Sequence, residues 1–195
     1  MVLQQLSLDL ADTSVLPIPQ RATWRQAQTP VSLRPLPLTL RKICVPPMKC
    51  QGIKTKLAPF IASSVRWSGQ GRWIEPFLGS GVLLFNVAPA RAYVADLNEH
   101  IIRFYRAIAA GELTPGTART HLEREGRLLA ERGAAYYYEV RDRFNAHHAS
   151  LDFLFLNRAC FNGVMRFNRK GAFNVPFGKK PQRFRPAYVT KIVNQ

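Results

Sequence analysis

Apolar and polar residues repeat along this chain with two different periods, and the period changes near its middle. Between Gly71 and Asp96 the apolar runs are short and set off by turn residues. Gly71-Arg72-Trp73-Ile74-Glu75-Pro76-Phe77 reads as a brief strand ended by a proline, and Ala92-Tyr93-Val94-Ala95 as a second strand closing on Asp96. Between them Leu78-Gly79-Ser80-Gly81 is a tight glycine turn, and Val82 to Val87 begins a helix that Pro89 stops. Asn98 is placed to cap a helix with Ile101, Phe104, Tyr105 and Ile108 on its apolar face. Strand, glycine turn, helix, strand and acid in this order imply a parallel sheet with a right-handed crossover. Upstream, Lys54 to Ile61 starts a short helix after a turn at Gly52.

From Thr114 onward the period is helical. Thr114-Pro115 forms a cap and first-turn pair, with Leu122, Leu128 and Leu129 on the apolar face that follows. Tyr136, Tyr137 and Tyr138 belong to a second helix with Val140 and Phe144, and Ser150 is expected to cap a third, Leu151 to about Arg158. Val164 to Phe177 alternates instead. Met165, Phe167, Phe173 and Val175 contrast with Arg166, Asn168 and Asn174 about a turn at Arg169-Lys170-Gly171, which predicts a β-hairpin. Residues 1–44 keep neither period. Pro17, Pro19, Pro30, Pro35 and Pro37, with Gln20, Gln26 and Gln28, mark a segment that buries too little apolar surface to offset its ordering entropy. It is predicted to be a disordered extension, with order beginning near Val45 and Met48 a candidate true start.

The composition of the 195 residues, 47% hydrophobic and 21% charged, is that of an ordinary globular chain. The charge is not ordinary: 28 Lys and Arg against 12 Asp and Glu give +16. Such an excess points to a polyanionic partner, nucleic acid first. A membrane surface fits less well, because no run of about eighteen apolar residues and no basic amphipathic anchor helix is present. Cys44, Cys50 and Cys160 are odd in number and lack CxxC spacing, and the adjacent His147 and His148 lack a third partner. Neither a disulfide framework nor a metal site is expected from them. No charged n-region followed by an apolar h-region opens the chain, so a reducing cytoplasm is the expected compartment. The pattern sets no oligomeric state.

The candidate chemistry starts at Glu75-Pro76-Phe77-Leu78-Gly79-Ser80-Gly81, with Asp96 fifteen residues beyond the last glycine. Glycines after a strand let a ligand approach the backbone, where helix N–H groups point at it. A carboxylate at the end of the next strand can accept both ribose hydroxyls of a nucleoside.

Five blocks occur in order. They are Pro46-Pro47-Met48-Lys49-Cys50-Gln51-Gly52-Ile53-Lys54, then Trp73-Ile74-Glu75-Pro76-Phe77-Leu78-Gly79-Ser80-Gly81-Val82, then Ala95-Asp96-Leu97-Asn98. Leu156-Asn157-Arg158 with Phe161-Asn162-Gly163, and Phe173-Asn174-Val175-Pro176-Phe177-Gly178, complete the series. Together they resemble the Dam-type family of adenine-specific DNA methyltransferases, from about Val45 to the last residue. The resemblance implies an α/β fold: an incomplete Rossmann-like core that binds S-adenosylmethionine, with an inserted helical and β-hairpin domain that recognises DNA. It assigns residues 45–110 to the core, 111–185 to the recognition domain and 186–195 to the start of the return to the core. The implied partner is double-stranded DNA, in a prokaryotic nucleoid or from a phage gene, with restriction–modification as one setting.

By the same resemblance Cys50, Gly52 and Lys54 wrap the cofactor's methionine end and base. Glu75, Pro76, Phe77, Gly79 and Gly81 form the turn against it, and Asp96 holds its ribose. Cys50 stands where many relatives carry an aromatic residue, and the Lys54 ammonium suits the cofactor's carboxylate. Residues 151–195 hold nine Lys and Arg and a single acid, Asp152. Phe167, Phe173, Phe177 and Phe184 are expected in the core of a small subdomain. Phe161 is expected to wedge between bases while Asn162 and Arg166 read base edges, with Arg158, Val164 and Pro176 alongside.

Methylating the exocyclic nitrogen of adenine requires a flipped base whose amino group is held in line with the methyl sulfonium. The family does this with an Asp-Pro-Pro-Tyr block. No Asp, Asn or Ser followed by Pro-Pro and an aromatic occurs in this sequence; its one Pro-Pro, Pro46-Pro47, lies between Val45 and Met48. No catalytic residue is therefore assigned. The expectation is the N-terminal portion of an adenine methyltransferase that alone transfers no methyl group. The alternatives are a non-catalytic DNA-binding remnant and a basic RNA- or ribosome-associated protein.

Overall fold

The computed structural model describes residues 4–9 and 36–195. The elements are β1 (Gln4–Asp9), α1 (Ala58–Ser64), β2 (Trp73–Glu75), α2 (Val82–Val87), β3 (Arg91–Asp96), α3 (Glu99–Ala109), α4 (Pro115–His147), α5 (Ser150–Ala159) and α6 (Pro186–Val193). Short 3-10 turns lie at Lys54–Lys56 and Phe161–Gly163.

The parallel pair that the sequence predicts is present: Trp73, Ile74 and Glu75 of β2 lie beside Ala92, Tyr93 and Val94 of β3. The Ala92 and Val94 face of β3 is covered by α2 and α3, while Ile74 of β2 points the other way and is exposed. The helix cap also forms as expected, with Asn98 Oδ1 accepting the His100 N–H at 3.1 Å.

The extension is the first correction. Gln4–Asp9 is a strand, antiparallel to β3 on the side away from β2, in the register Leu6 opposite Val94. Leu6-Ser7-Leu8-Asp9 alternates with period two, and β3 offers it an edge of unpaired N–H and C=O groups. The far end of the segment is tied down as well. Leu36 is buried, its N–H donates to the Trp67 carbonyl at 2.7 Å, and the Leu38 N–H donates to Ala62 at 2.8 Å. Residues 1–3 and 10–35, on which the rest of the disorder expectation falls, lie outside the described residues.

α4 opens with a reciprocal cap between Thr114 and Thr117 and with Pro115 in its first turn. It is two helical segments joined at Gly133, whose φ of 60° and ψ of −135° break the helical run, in line with the two helices read from the sequence. Ser150 is not the cap of α5 but its first helical residue; Ala149 occupies the cap position without a side-chain bond. The Val164–Phe177 hairpin is reduced to one antiparallel bridge, Phe167 to Phe173. Asn168 explains why. Its Oδ1 accepts the N–H groups of Lys170 (2.9 Å) and Ala172 (3.0 Å), so the side chain replaces part of a backbone ladder.

One core runs through the described residues, from Val94 and Ile102 beneath the sheet to Phe144 and Phe153 among the later helices. His100 of α3 sits at the junction. Phe144 of α4, His148 just past its end, Phe153 of α5 and Phe167 of the bent loop formed by residues 164–177 surround it, with ring centroids 4.9 to 5.7 Å away. A second buried polar cluster locks α4 to α5. The Arg143 guanidinium bonds both Asp152 oxygens and Glu125, which also accepts from Tyr136 Oη (2.7 Å) and Arg124 (2.8 Å).

Candidate functional site

β2 and β3 end side by side, and the chain leaves β2 into the glycine turn. Gly79 (φ +55°) and Gly81 (φ +74°) take the left-handed conformation that glycine tolerates best. A Cβ on Gly81 would also lie 2.8 Å from the edge of the exposed Phe85 ring, which would have to turn aside. The Asp96 carboxylate ties the turn to the next helix: Oδ2 accepts the Gly79 N–H at 2.7 Å and Oδ1 accepts the Asn98 N–H at 2.8 Å. Each oxygen retains a second lone pair for a hydroxyl donor.

Across this turn lies the Cys50–Lys54 strap, with Cys50 Sγ 3.6 Å from the place a Gly79 Cβ would occupy. Strap and turn enclose a cleft lined by Cys50, Gly52, Lys54, Glu75, Leu78, Gly79 and Ser80. Glu75 is buried and accepts from Trp73 Nε1 at 2.6 Å; burial raises its pKa. Burial and then the Asp96 charge push the Cys50 thiol up, so it stays protonated at neutral pH. The cleft holds about 30 Å³, room for a water or two, whereas ligand pockets run to several hundred. Its donors and acceptors suit a nucleoside with a charged tail, which needs more room than the cleft holds in this structure.

A second surface forms around the turn after α5. Phe161 is 54% exposed, large for an aromatic ring, and sits beside the exposed Asn162, whose φ is +52°. The turn is fastened at its base: the Phe161 N–H donates to the Pro176 carbonyl at 2.9 Å, and the Gly178 N–H to Ala159 at 3.0 Å. Arg166 is exposed, its Nε on Asn174 Oδ1 at 2.9 Å and its Nη2 on the Asn174 carbonyl at 3.0 Å. That leaves further guanidinium donors facing outward. An exposed ring and amide on one turn, and an exposed guanidinium held by Asn174, are groups that can stack on bases and hydrogen-bond to base edges.

A sequence profile of the D12 class N6 adenine-specific DNA methyltransferases matches residues 51–194. The chain belongs to that family. It is 38% identical over 114 residues to a "DNA adenine methylase" of Vibrio cholerae, a match covering 55% of this chain and 40% of that protein. It is 34% identical over 127 residues to the "Type II methyltransferase M.MjaIII" of Methanocaldococcus jannaschii, covering 58% and 44%. The "DNA N-6-adenine-methyltransferase" of Escherichia phage P1 shares 34% over 114 residues, 55% of this chain and 14% of that one. The chain thus spans less than half the length of these relatives.

In this D12 chain the expected cofactor positions fall into three groups. Cys50, Gly52, Lys54, Glu75 and Gly79 line one cleft, with Asp96 bonded to it through Gly79. Gly81 shapes the turn from behind, and Pro76 and Phe77 are exposed outside the cleft. Of the residues expected against DNA, Phe161, Asn162, Arg166 and Pro176 are exposed and Val164 is half-buried, with Phe161 bonded through its backbone to both Pro176 and Val164. Arg158 does not. It is buried, its guanidinium donates to the Pro47 carbonyl and to Gln195 Oε1, and desolvation lowers its pKa. It braces the core instead of facing outward.

Two features were given no role from the sequence. One is Asn157, quoted there only within the Leu156-Asn157-Arg158 block; it is fully buried and bonded to both Lys49 and Gly163, and its signal was an amide inside an apolar helix. The other is the Glu125–Arg143–Asp152 cluster, marked only by acids on otherwise apolar faces. His121, Glu125 and Asp152 are spaced as cation ligands would be, yet Arg143 already places a positive charge between the two carboxylates. Among the described residues no helix is long and apolar enough to cross a membrane.

Proposed function

We propose that this chain binds S-adenosylmethionine and double-stranded DNA as part of an adenine-specific DNA methyltransferase. The observation that carries the reading is the meeting of Asp96 and Gly79 in one hydrogen bond at the ends of two parallel strands, beneath a strap that ends in Lys54. Asp96 accepts the ribose hydroxyls and Lys54 pairs with the cofactor's carboxylate. Glu75, Gly79 and Cys50 form the walls, with Pro76 and Phe77 at the mouth. When bound, the cofactor supplies an electrophilic methyl group on its sulfonium. Residues 111–185 act as the DNA-recognition domain: Phe161 stacks against or between bases, while Asn162 and Arg166 meet base edges.

The 195 residues contain no Asp-Pro-Pro-Tyr block, so nothing in them holds the adenine amino group in line for transfer. Binding without turnover is the proposed behaviour of this polypeptide. The narrow cleft favours a second reading, a DNA-binding chain that takes no cofactor.

Calorimetry with S-adenosylhomocysteine separates the two. Under the first reading the wild type binds it and Asp96→Ala weakens binding by about tenfold or more, equivalent to about 1.4 kcal/mol. DNA retention is unchanged, and no tritiated methyl group reaches duplex DNA. Equal binding by wild type and variant removes the ribose role of Asp96. No binding by the wild type leaves the second reading.

A further inference from the structure

The Cys50–Lys54 strap and the Phe161–Gly163 turn belong to two different proposed sites, yet one side chain holds both. Asn157 near the end of α5 is fully buried. Its Oδ1 accepts the Lys49 N–H at 2.8 Å, and its Nδ2 donates to the Lys49 carbonyl at 2.8 Å and to the Gly163 carbonyl at 3.4 Å. Lys49 is the residue from which the strap departs, 108 positions earlier in the chain. The two segments also touch directly. A Cβ on Gly163 would lie 2.4 Å from Lys49 Cδ and 3.0 Å from Lys49 Cβ, so a side chain at Gly163 could be admitted only by displacing the root of the strap.

The cleft beneath the strap is about 30 Å³, so the strap has to adopt a second, lifted arrangement for a nucleoside to enter. Its root cannot shift without disturbing either the paired Asn157 amide or the turn that presents Phe161. Breaking a fully buried amide's bonds leaves polar groups unsatisfied, which makes independent movement of the two segments costly.

The geometry points to Asn157 as a positioning residue that couples occupancy of the cofactor cleft to occupancy of the Phe161 surface. This inference rests on the reading of the two sites as cofactor and DNA sites. A ligand that orders either segment pre-orders the other through the shared amide, so the coupling is positive, and by linkage it is the same in both directions.

The test measures S-adenosylhomocysteine binding to the full chain by calorimetry, with and without saturating short random-sequence duplex DNA. For the wild type, DNA is expected to tighten binding by about fivefold or more, the lower end of ordinary coupling. In Asn157→Ala each ligand still binds alone, and the factor falls to about one. A general loss of stability would not produce that pattern, because it weakens both ligands without uncoupling them. Gly163→Ala keeps the amide but drives a methyl group into Lys49 at a backbone φ of +67°; where it folds and binds each ligand alone it is expected to lower the factor as well, and it then decides the matter if Asn157→Ala does not fold. A wild-type factor of one, or the wild-type factor retained in the folded variants, overturns the coupling while leaving both sites intact. Failure of the wild type to bind S-adenosylhomocysteine overturns the functional reading, and the coupling with it.

Discussion

Lowering the pH from about 7.5 to about 5 is expected to remove about 2 kcal/mol of folding stability through His100 alone. The imidazole is buried among four rings from α4, α5 and the bent loop, and its Nδ1 has no hydrogen-bond partner. Burial pushes its pKa down from 6.5 to about 4, the nearby Glu99 opposing and His148 and Arg103 adding to the shift. An unfolded chain takes up a proton near pH 6.5, while the folded one resists until about pH 4. Between those values the unfolded state binds more protons, so stability falls as the pH falls, and above the window both states are neutral and nothing is lost. Urea denaturation at the two pH values measures the difference. His100→Phe places a ring of similar size in the same aromatic surroundings and removes the titration. The wild type should therefore lose about 2 kcal/mol more than the variant. Equal losses would refute the reasoning, because they would show that the His100 imidazole does not stay neutral in the fold.

Arg143→Met strands two buried carboxylates and should cost about 3–5 kcal/mol, seen as a drop of roughly 10 °C in thermal midpoint. Asp152 provides a pH check on the same cluster. Burial would raise its pKa, but the bonds from Arg143, with the nearby His121, outweigh burial and hold it at about 2 against an ordinary 3.8. Its contribution is thus complete above pH 3.8 and lost as the pH falls through about 2, an acid phase expected to be absent from Arg143→Met. Phe161→Ala should leave the thermal midpoint unchanged, since the ring is 54% exposed, and weaken duplex binding by about tenfold in a mobility-shift assay.

What was legible in the sequence is what neighbours along the chain decide. The β2–turn–α2–β3 order, the cap at Asn98 and the break between the two segments of α4 depend on glycines, caps and periodicity within a few residues. β1 was hidden because its partner strand lies about ninety residues away, and the prolines that follow it dominate the local composition. The burial of Asn157 and Arg158 was hidden for a related reason. A polar side chain on an apolar helix is buried only if partners exist for it, and theirs are backbone atoms of Lys49 and Pro47. The hairpin was over-read because alternation says nothing about a side chain such as Asn168 that competes for the backbone N–H groups. The width of the cleft was not legible at all, since it depends on how closely the strap lies over the glycine turn.

The formal charge of +16 understates what a polyanion would meet near Phe161. Residues 151–195 contain one acid, Asp152, and that carboxylate is buried beneath Arg143. Glu75 and Glu125 are buried too, so three of the chain's acids contribute little to the outer field. The cations of the 151–195 stretch other than the buried Arg158 and the half-buried Arg183, which bonds Tyr188 Oη, are therefore exposed without a local acid from the same stretch to offset them. Each phosphate contact they make should add about −0.9 to the slope of log affinity against log salt. The burial of Asp152 has a second consequence. Its bonds to Arg143 fix α5 against α4, and α5 carries Asn157 near its end and Phe161 just beyond. The acid withdrawn from the surface of the 151–195 stretch is thus one of the groups that hold the Phe161 turn and the root of the Cys50–Lys54 strap in place.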